Sequence, residues 1–208
     1  MAYGAKPLGG PATLADIEAL PEGVVGEIID GTLYTHARPR AGHMDLVGAL
    51  IDGLRGPFQR GQNGPGGWWV LAEPGIQVEG APEFNPDLAG WRRERMPVLP
   101  GGRCKVVPDW ACEILSPSTR AYDTRIKRPF YAHIGIQHLW FIDLEARTLT
   151  VSELRDGRWV EMGVYGDGDV IRAAPFDAIE LRLSEWWEAR SAADLADDPI
   201  HSSPNYSP

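Results

Sequence analysis

Two carboxylates and one lysine pose the chemical question in this sequence. Asn85-Pro86-Asp87-Leu88-Ala89 places an acid at the entry of an apolar strand. Trp110-Ala-Cys-Glu113-Ile-Leu115 places another inside an otherwise apolar strand. An ionised carboxylate there is costly unless it is paired or bound to a metal. Glu113 therefore has two readings of equal weight: a group on a solvated sheet face or paired with an arginine, or a site residue. Asp109 is the rival acid. It shares Glu113's face by strand alternation, but its Cα lies ~13 Å away along the strand. An ion bound by oxygens at ~2.1–2.5 Å does not readily take both. Asp109 is thus read as a strand-entry residue, whereas Asp87, from another strand, can sit directly beside Glu113.

Downstream, Asp123, Lys127 and Tyr131 recur at i, i+4 and i+8, beside an apolar set of Ile126, Phe130 and Ile134. The spacing puts a polar edge along an amphipathic helix. That edge is either an ordinary Asp–Lys boundary or a lysine held over the sheet near the two acids. Pro129 should kink this helix or mark a late start, because it lacks the N–H for a bond to residue 125.

These residues need a scaffold. Residues 1–12, rich in Gly and Pro, read as a loose arm, and 13–190 as one domain. Thr13 caps a short helix to Leu20. Asp30-Gly31 joins two apolar runs, Val24–Ile29 and Thr32–Thr35, as a hairpin. Met44, Val47, Ile51 and Leu54 predict a helix over about 43–55, and 56–67 reads as a loop. Strands follow at 68–71, 75–78, 84–91 and 106–115, then a helix over 123–134 closed by Gly135, and a strand over 138–143. Asp156-Gly157 predicts a second hairpin between 149–154 and 159–162. A short strand near 170–171 and a helix over 184–190 complete the domain, and the tail over 191–208 reads as disordered. The order predicts an α+β (mixed α/β) fold: a central mixed sheet flanked by helices, with additional hairpins.

Composition narrows the function classes. With 24 Gly and 18 Pro, the chain is turn-rich and is neither fibrous nor a long coiled coil. No apolar run reaches the ~20 residues that span a bilayer, and the N-terminus has no apolar segment of a secretory signal. A membrane association is therefore not expected, and a cytoplasmic location is. Cys104 and Cys112 are too few for a disulfide scaffold and read as spectator thiols. The net charge of −9 opposes whole-molecule attraction to a polyanion. Basic residues nevertheless cluster over 91–105 and 118–128, and a local basic face can still hold one.

The run Pro108-Asp-Trp-Ala-Cys-Glu113-Ile-Leu-Ser-Pro-Ser-Thr119, followed by Tyr122-Asp123, Lys127, Tyr131, Gly135 and His138-Leu-Trp-Phe-Ile-Asp143, resembles the Uma-type restriction endonucleases of the PD-(D/E)XK nuclease superfamily. Gly26-Glu27-Ile-Ile-Asp30-Gly31, His43 and Pro86-Asp87 fit the family's order, so the resemblance covers roughly 13–187. It implies a restriction-endonuclease-like core and an endonuclease that hydrolyses DNA with Mg²⁺ or Mn²⁺. Asp87 and Glu113 would hold the ion, with the Ile114 carbonyl as a third ligand. The superfamily lysine two residues after the glutamate is Leu115 here, and Lys127 is the candidate replacement. Glu27, His43 and Tyr131 are accessory candidates for ligand or substrate contacts, and a homodimer is expected.

Two other readings compete. One is a non-catalytic, dimeric interaction module on the same fold, which the −9 charge favours. The other, ranked well below, is a two-carboxylate glycosidase with tryptophans stacking sugar; Trp110, Trp140 and Trp186 sit in apolar contexts that suit core packing better.

Overall fold

The computed structural model describes residues 3–5 and 10–187. Its centre is a six-stranded mixed sheet in the order β11-β10-β9-β8-β7-β4. The strands are β4 (Trp68–Ala72), β7 (Leu88–Arg92), β8 (Trp110–Leu115), β9 (His138–Asp143), β10 (Thr148–Arg155) and β11 (Arg158–Tyr165). β8 and β9 are parallel, and the other neighbours in this sheet are antiparallel. A second sheet has the order β1-β3-β2-β6-β5. It comprises β1 (Tyr3–Ala5), β2 (Val24–Ile29), β3 (Thr32–Ala37), β5 (Ile76–Val78) and β6 (Ala81–Phe84). Short strands β12 (Val170–Ile171) and β13 (Leu181–Arg182) pair with each other.

Burial on both faces explains why β8 is apolar almost throughout. Trp110, Cys112 and Ile114 pack with Leu46, Leu50 and Leu54 of helix α2 (Ala41–Leu54). Ala111 and Leu115, of the opposite parity, pack with Phe130 and Tyr131 of helix α4 (Arg128–Ile134). Glu113 has this second parity, so it points into a core and not toward bulk water. Positive φ at Asp30 (48°), Gly31 (71°), Asp156 (49°) and Gly157 (73°) closes both Asp-Gly hairpins as expected. Among the described residues, no helix is long and apolar enough to cross a membrane.

Several elements differ from the sequence expectations. Tyr3–Ala5, inside the segment read as a loose arm, pairs with β3. The span 84–91 is not one strand: β6 and β7 belong to different sheets and break at Asn85-Pro86-Asp87. The helix over 123–134 begins earlier, as α3 (Arg120–Tyr122), and passes through a π-turn (Asp123–Lys127) into α4. That wider turn ends just before Pro129, which sits in the first turn of α4, where a missing N–H is tolerated. The helix expected over 184–190 is a short 3₁₀ turn, Leu183–Trp186. Residues 188–190 and the tail over 191–208 lie outside the described residues.

Candidate active site

The β6–β7 break carries Asp87 to the sheet edge. β7 and β8 pair Leu88 with Cys112, so one further step of antiparallel register brings Asp87 opposite Glu113. Its Oδ2 accepts the Ile114 N–H at 2.6 Å, and its Oδ1 lies 2.9 Å from His43 Nε2 in the first turn of α2. A strand residue turns its N–H and C=O to the same side. The Ile114 carbonyl therefore faces the Asp87 edge. Asp87 and His43 keep 17% and 14% side-chain exposure, which makes this edge the open part of the site.

Behind it, Glu113 is buried. Tyr131 donates a short O–H hydrogen bond to its Oε1, and Lys127 Nζ lies 3.2 Å from it. Lys127 is itself buried; it donates to the Asn85 carbonyl at 3.1 Å and lies 3.3 Å from Glu27 Oε2 and 4.0 Å from Asp123 Oδ1. Glu27, from the second sheet, is fully buried, and its Oε1 accepts the Asn85 N–H at 2.6 Å. One side chain thus holds both the lysine and the backbone just ahead of Asp87. His36 Nε2 lies 3.5 Å from Glu27 Oε2.

Burial and charge oppose each other here. Burial alone would raise Glu27, but Lys127, His36 and the Asn85 N–H outweigh it and bring it down to about 2. Burial works against the Lys127 charge, yet Glu113 and Glu27 hold the ammonium well above its usual range. Burial, with Asp87 nearby, pushes Glu113 well up in the absence of a further cation, although Lys127 opposes this. Burial also raises Asp123 to about 7 against the pull of Lys127.

Asp87, Glu113, Ile114, Lys127, Glu27, His43 and Tyr131, named from the sequence, thus form one connected cluster. Asp123 and His36 were not among the candidates. Asp123 had a signal in its i, i+4 spacing to Lys127; His36 had none, because only the pairing of β2 with β3 brings it to Glu27. Asp109 is elsewhere: it accepts the Arg92 N–H and pairs with Arg95 at 2.7 Å, which fits a strand-entry role.

The donor set fits a hard divalent ion. Among the described residues, no three His, Cys, Asp or Glu side chains form a metal cage. Two carboxylates and a carbonyl are nevertheless the kind of set Mg²⁺ uses, because it keeps several waters. Carboxyls outnumber cations in the cluster, and the buried one nearest Asp87 is pushed toward protonation without further positive charge.

A mixed sheet flanked by helices, with Asp87 and Glu113 abreast on neighbouring strands and a lysine over them, defines a restriction-endonuclease-like α+β protein. The Uma2 family, described as "Putative restriction endonuclease", matches residues 14–184, and the chain belongs to that family. Among solved structures, a "putative nuclease belonging to DUF820" from Anabaena variabilis ATCC 29413 is similar, with a TM-score of 0.66 and 20% sequence identity over 86% of this chain and 98% of that one. At that identity the likeness is one of fold. No curated protein matches the chain.

Proposed function

We propose that the protein is a divalent-metal-dependent endonuclease that hydrolyses phosphodiester bonds of DNA, with Asp87, Glu113 and Lys127 as its catalytic residues. The observation that carries this reading is the pairing of Asp87 opposite Glu113 on neighbouring strands, with Lys127 3.2 Å from Glu113 and partial exposure at Asp87 and His43. Asp87, Glu113 and the Ile114 carbonyl would hold Mg²⁺ or Mn²⁺, which supplies an activated water and polarises the phosphate. His43, bonded to Asp87, fixes the rotamer of that carboxylate. Tyr131 does the same for Glu113. Lys127, kept charged by Glu113 and Glu27, offers its ammonium to negative charge developing on the phosphate.

Plasmid cleavage with Mg²⁺ or Mn²⁺ tests the proposal. Wild type should nick or linearise DNA, and EDTA should abolish this. Cleavage by Glu113→Gln equal to that of wild type would assign the activity to a contaminant and remove the site.

One observation favours the second reading, a dimeric interaction module. Among the described residues, β11 is an edge strand, with Val160, Met162 and Val164 exposed. Such an edge suits pairing with a second copy. A purified protein that is dimeric but binds no divalent ion would favour this reading. The glycosidase reading loses its sugar platform, because Trp110, Trp140 and Trp186 are buried in one aromatic cluster.

A further inference from the structure

The site described above repels its own proposed substrate, since it gathers acids on a chain of net charge −9. A polyanion needs cations elsewhere. Many arginines of the described chain are already engaged: Arg95 with Asp109, Arg103 with Glu83 and Arg120 with Asp143. Arg92 and Arg93 lie over the rings of Trp68 and Trp69. The basic cluster over 91–105 is thus largely taken up by the fold. Arg128 and Arg158 differ, for neither has an ion-pair partner among the described residues. Both line the same open cleft of about 770 Å³, between α4 and the tip of the β10–β11 hairpin.

Among the described residues, the cleft wall holds Arg128, His133 and Arg158 with Thr124, Pro129 and Trp159, and no acid. Asp123 and Asp156 each directly precede a wall residue, but neither is in the wall, and Asp123 is buried beside Lys127. Trp159 is half-buried, and its indole N–H donates to the Arg128 main-chain carbonyl at 2.8 Å, which ties the hairpin to the helix. Lys127 and Arg128 are consecutive, so one helix presents an ammonium inward to the acids and a guanidinium outward to the cleft.

We propose that this cleft binds the backbone of the nucleic-acid strand outside the cleavage site. Arg128 and Arg158 would hold its phosphates, and Trp159 and Pro129 would pack against a sugar or base. This inference rests on the nuclease reading and names how the same substrate is held. Guanidiniums suit phosphate oxygens through paired N–H groups, and an aromatic face accepts any base, so the contact is independent of sequence.

The test is fluorescence anisotropy of a labelled single strand and of its duplex, in EDTA so that nothing is cut, on the full chain. Arg128→Gln/Arg158→Gln should weaken single-strand binding by about tenfold or more and flatten the log K against log salt slope by roughly 1.4, the value for two lost phosphate contacts. The Trp159 hydrogen bond uses a main-chain oxygen, so it survives both changes. Arg158→Gln alone, at an exposed hairpin position, serves if the double variant does not fold; it should show about half that change in slope. Wild-type affinity and slope in the variants overturn the cleft while leaving the nuclease reading intact. Wild type that cuts DNA with Mg²⁺ yet shows no affinity for either probe overturns the cleft as well. Wild type that neither binds nor cuts overturns the nuclease reading, and the cleft falls with it.

Discussion

At the scale of single residues, Lys127 is both a catalytic candidate and the counter-charge of a buried acid cluster. Removing one partner of a buried ion pair typically costs ~3–5 kcal/mol, because the other is left uncompensated. Lys127→Met should therefore lose stability as well as ~10²–10³ in cleavage rate. Asp87→Asn and Glu113→Gln should lose rate by a similar factor with less loss of stability, and plasmid cleavage beside urea denaturation separates the two patterns. Glu27 gives a pH signature. Its folded value of about 2 lies below its ordinary 4.5 in the unfolded chain, so its contribution is present above about 4.5 and is lost as pH falls toward 2. It amounts to about 3 kcal/mol. Urea denaturation at pH 6 and pH 3 should show that acid loss in wild type and little of it in Glu27→Gln. Asp123 has the opposite sign. Raised to about 7 from 3.8, it binds its proton more tightly in the folded state, so stability falls as pH rises between those values. Asp123→Asn should accordingly raise Tm at pH 8 and change it little at pH 3.5.

At the scale of elements, the sequence pattern reached most of the scaffold because alternation, Asp-Gly turns and helical spacing are local signals. Val24–Thr35 and Leu149–Met162 read correctly for that reason, and the strand expected over 106–115 is present over Trp110–Leu115, starting four residues later. What it missed is non-local. The strand expected over 84–91 divides at Asn85-Pro86-Asp87, a local break signal in itself, and the assignment of its two halves to different sheets is what only the pairing shows. The π-turn at Asp123–Lys127 likewise carries no periodic signature, although Pro129 marked that the helix could not be regular throughout. The candidate acids are legible because charge beside or inside an apolar strand is conspicuous, and Lys127 because of its helical spacing to Asp123 and Tyr131 and the family resemblance. The engagement of Glu27 with both Lys127 and Asn85 is not, since it joins two sheets. Gly90 shows how closely β7 is packed: a Cβ there would meet the Trp110 and Trp68 rings at 3.1–3.4 Å. Gly90→Ala should cost about 1–3 kcal/mol in urea denaturation, the usual range for overpacking a core.

At the scale of the whole molecule, the excess of carboxyls predicts that divalent ions stabilise the fold. At about a hundredfold over Kd, bound ion adds ~2.7 kcal/mol. Mg²⁺ or Mn²⁺ should raise the Tm of wild type, EDTA should reverse the rise, and Glu113→Gln should respond weakly in the same thermal melt. The β6–β7 break has a consequence for how the protein fails. Asp87 lies between two sheets, with Glu27 of one gripping the Asn85 N–H and β8 of the other receiving the carboxylate. The second sheet is built from short strands, whereas the aromatic cluster of Trp110, Trp140 and Phe176 belongs to the larger one. Parts of a protein open at different free energies, and the weaker unit opens first. Peeling away the small sheet would take Glu27 from the Asn85 N–H and from Lys127, loosening the backbone ahead of Asp87 and the lysine together, while the tryptophans stay packed. The proposed cleavage activity should then vanish at a urea concentration where tryptophan emission is still native, so the site would come apart before the protein unfolds.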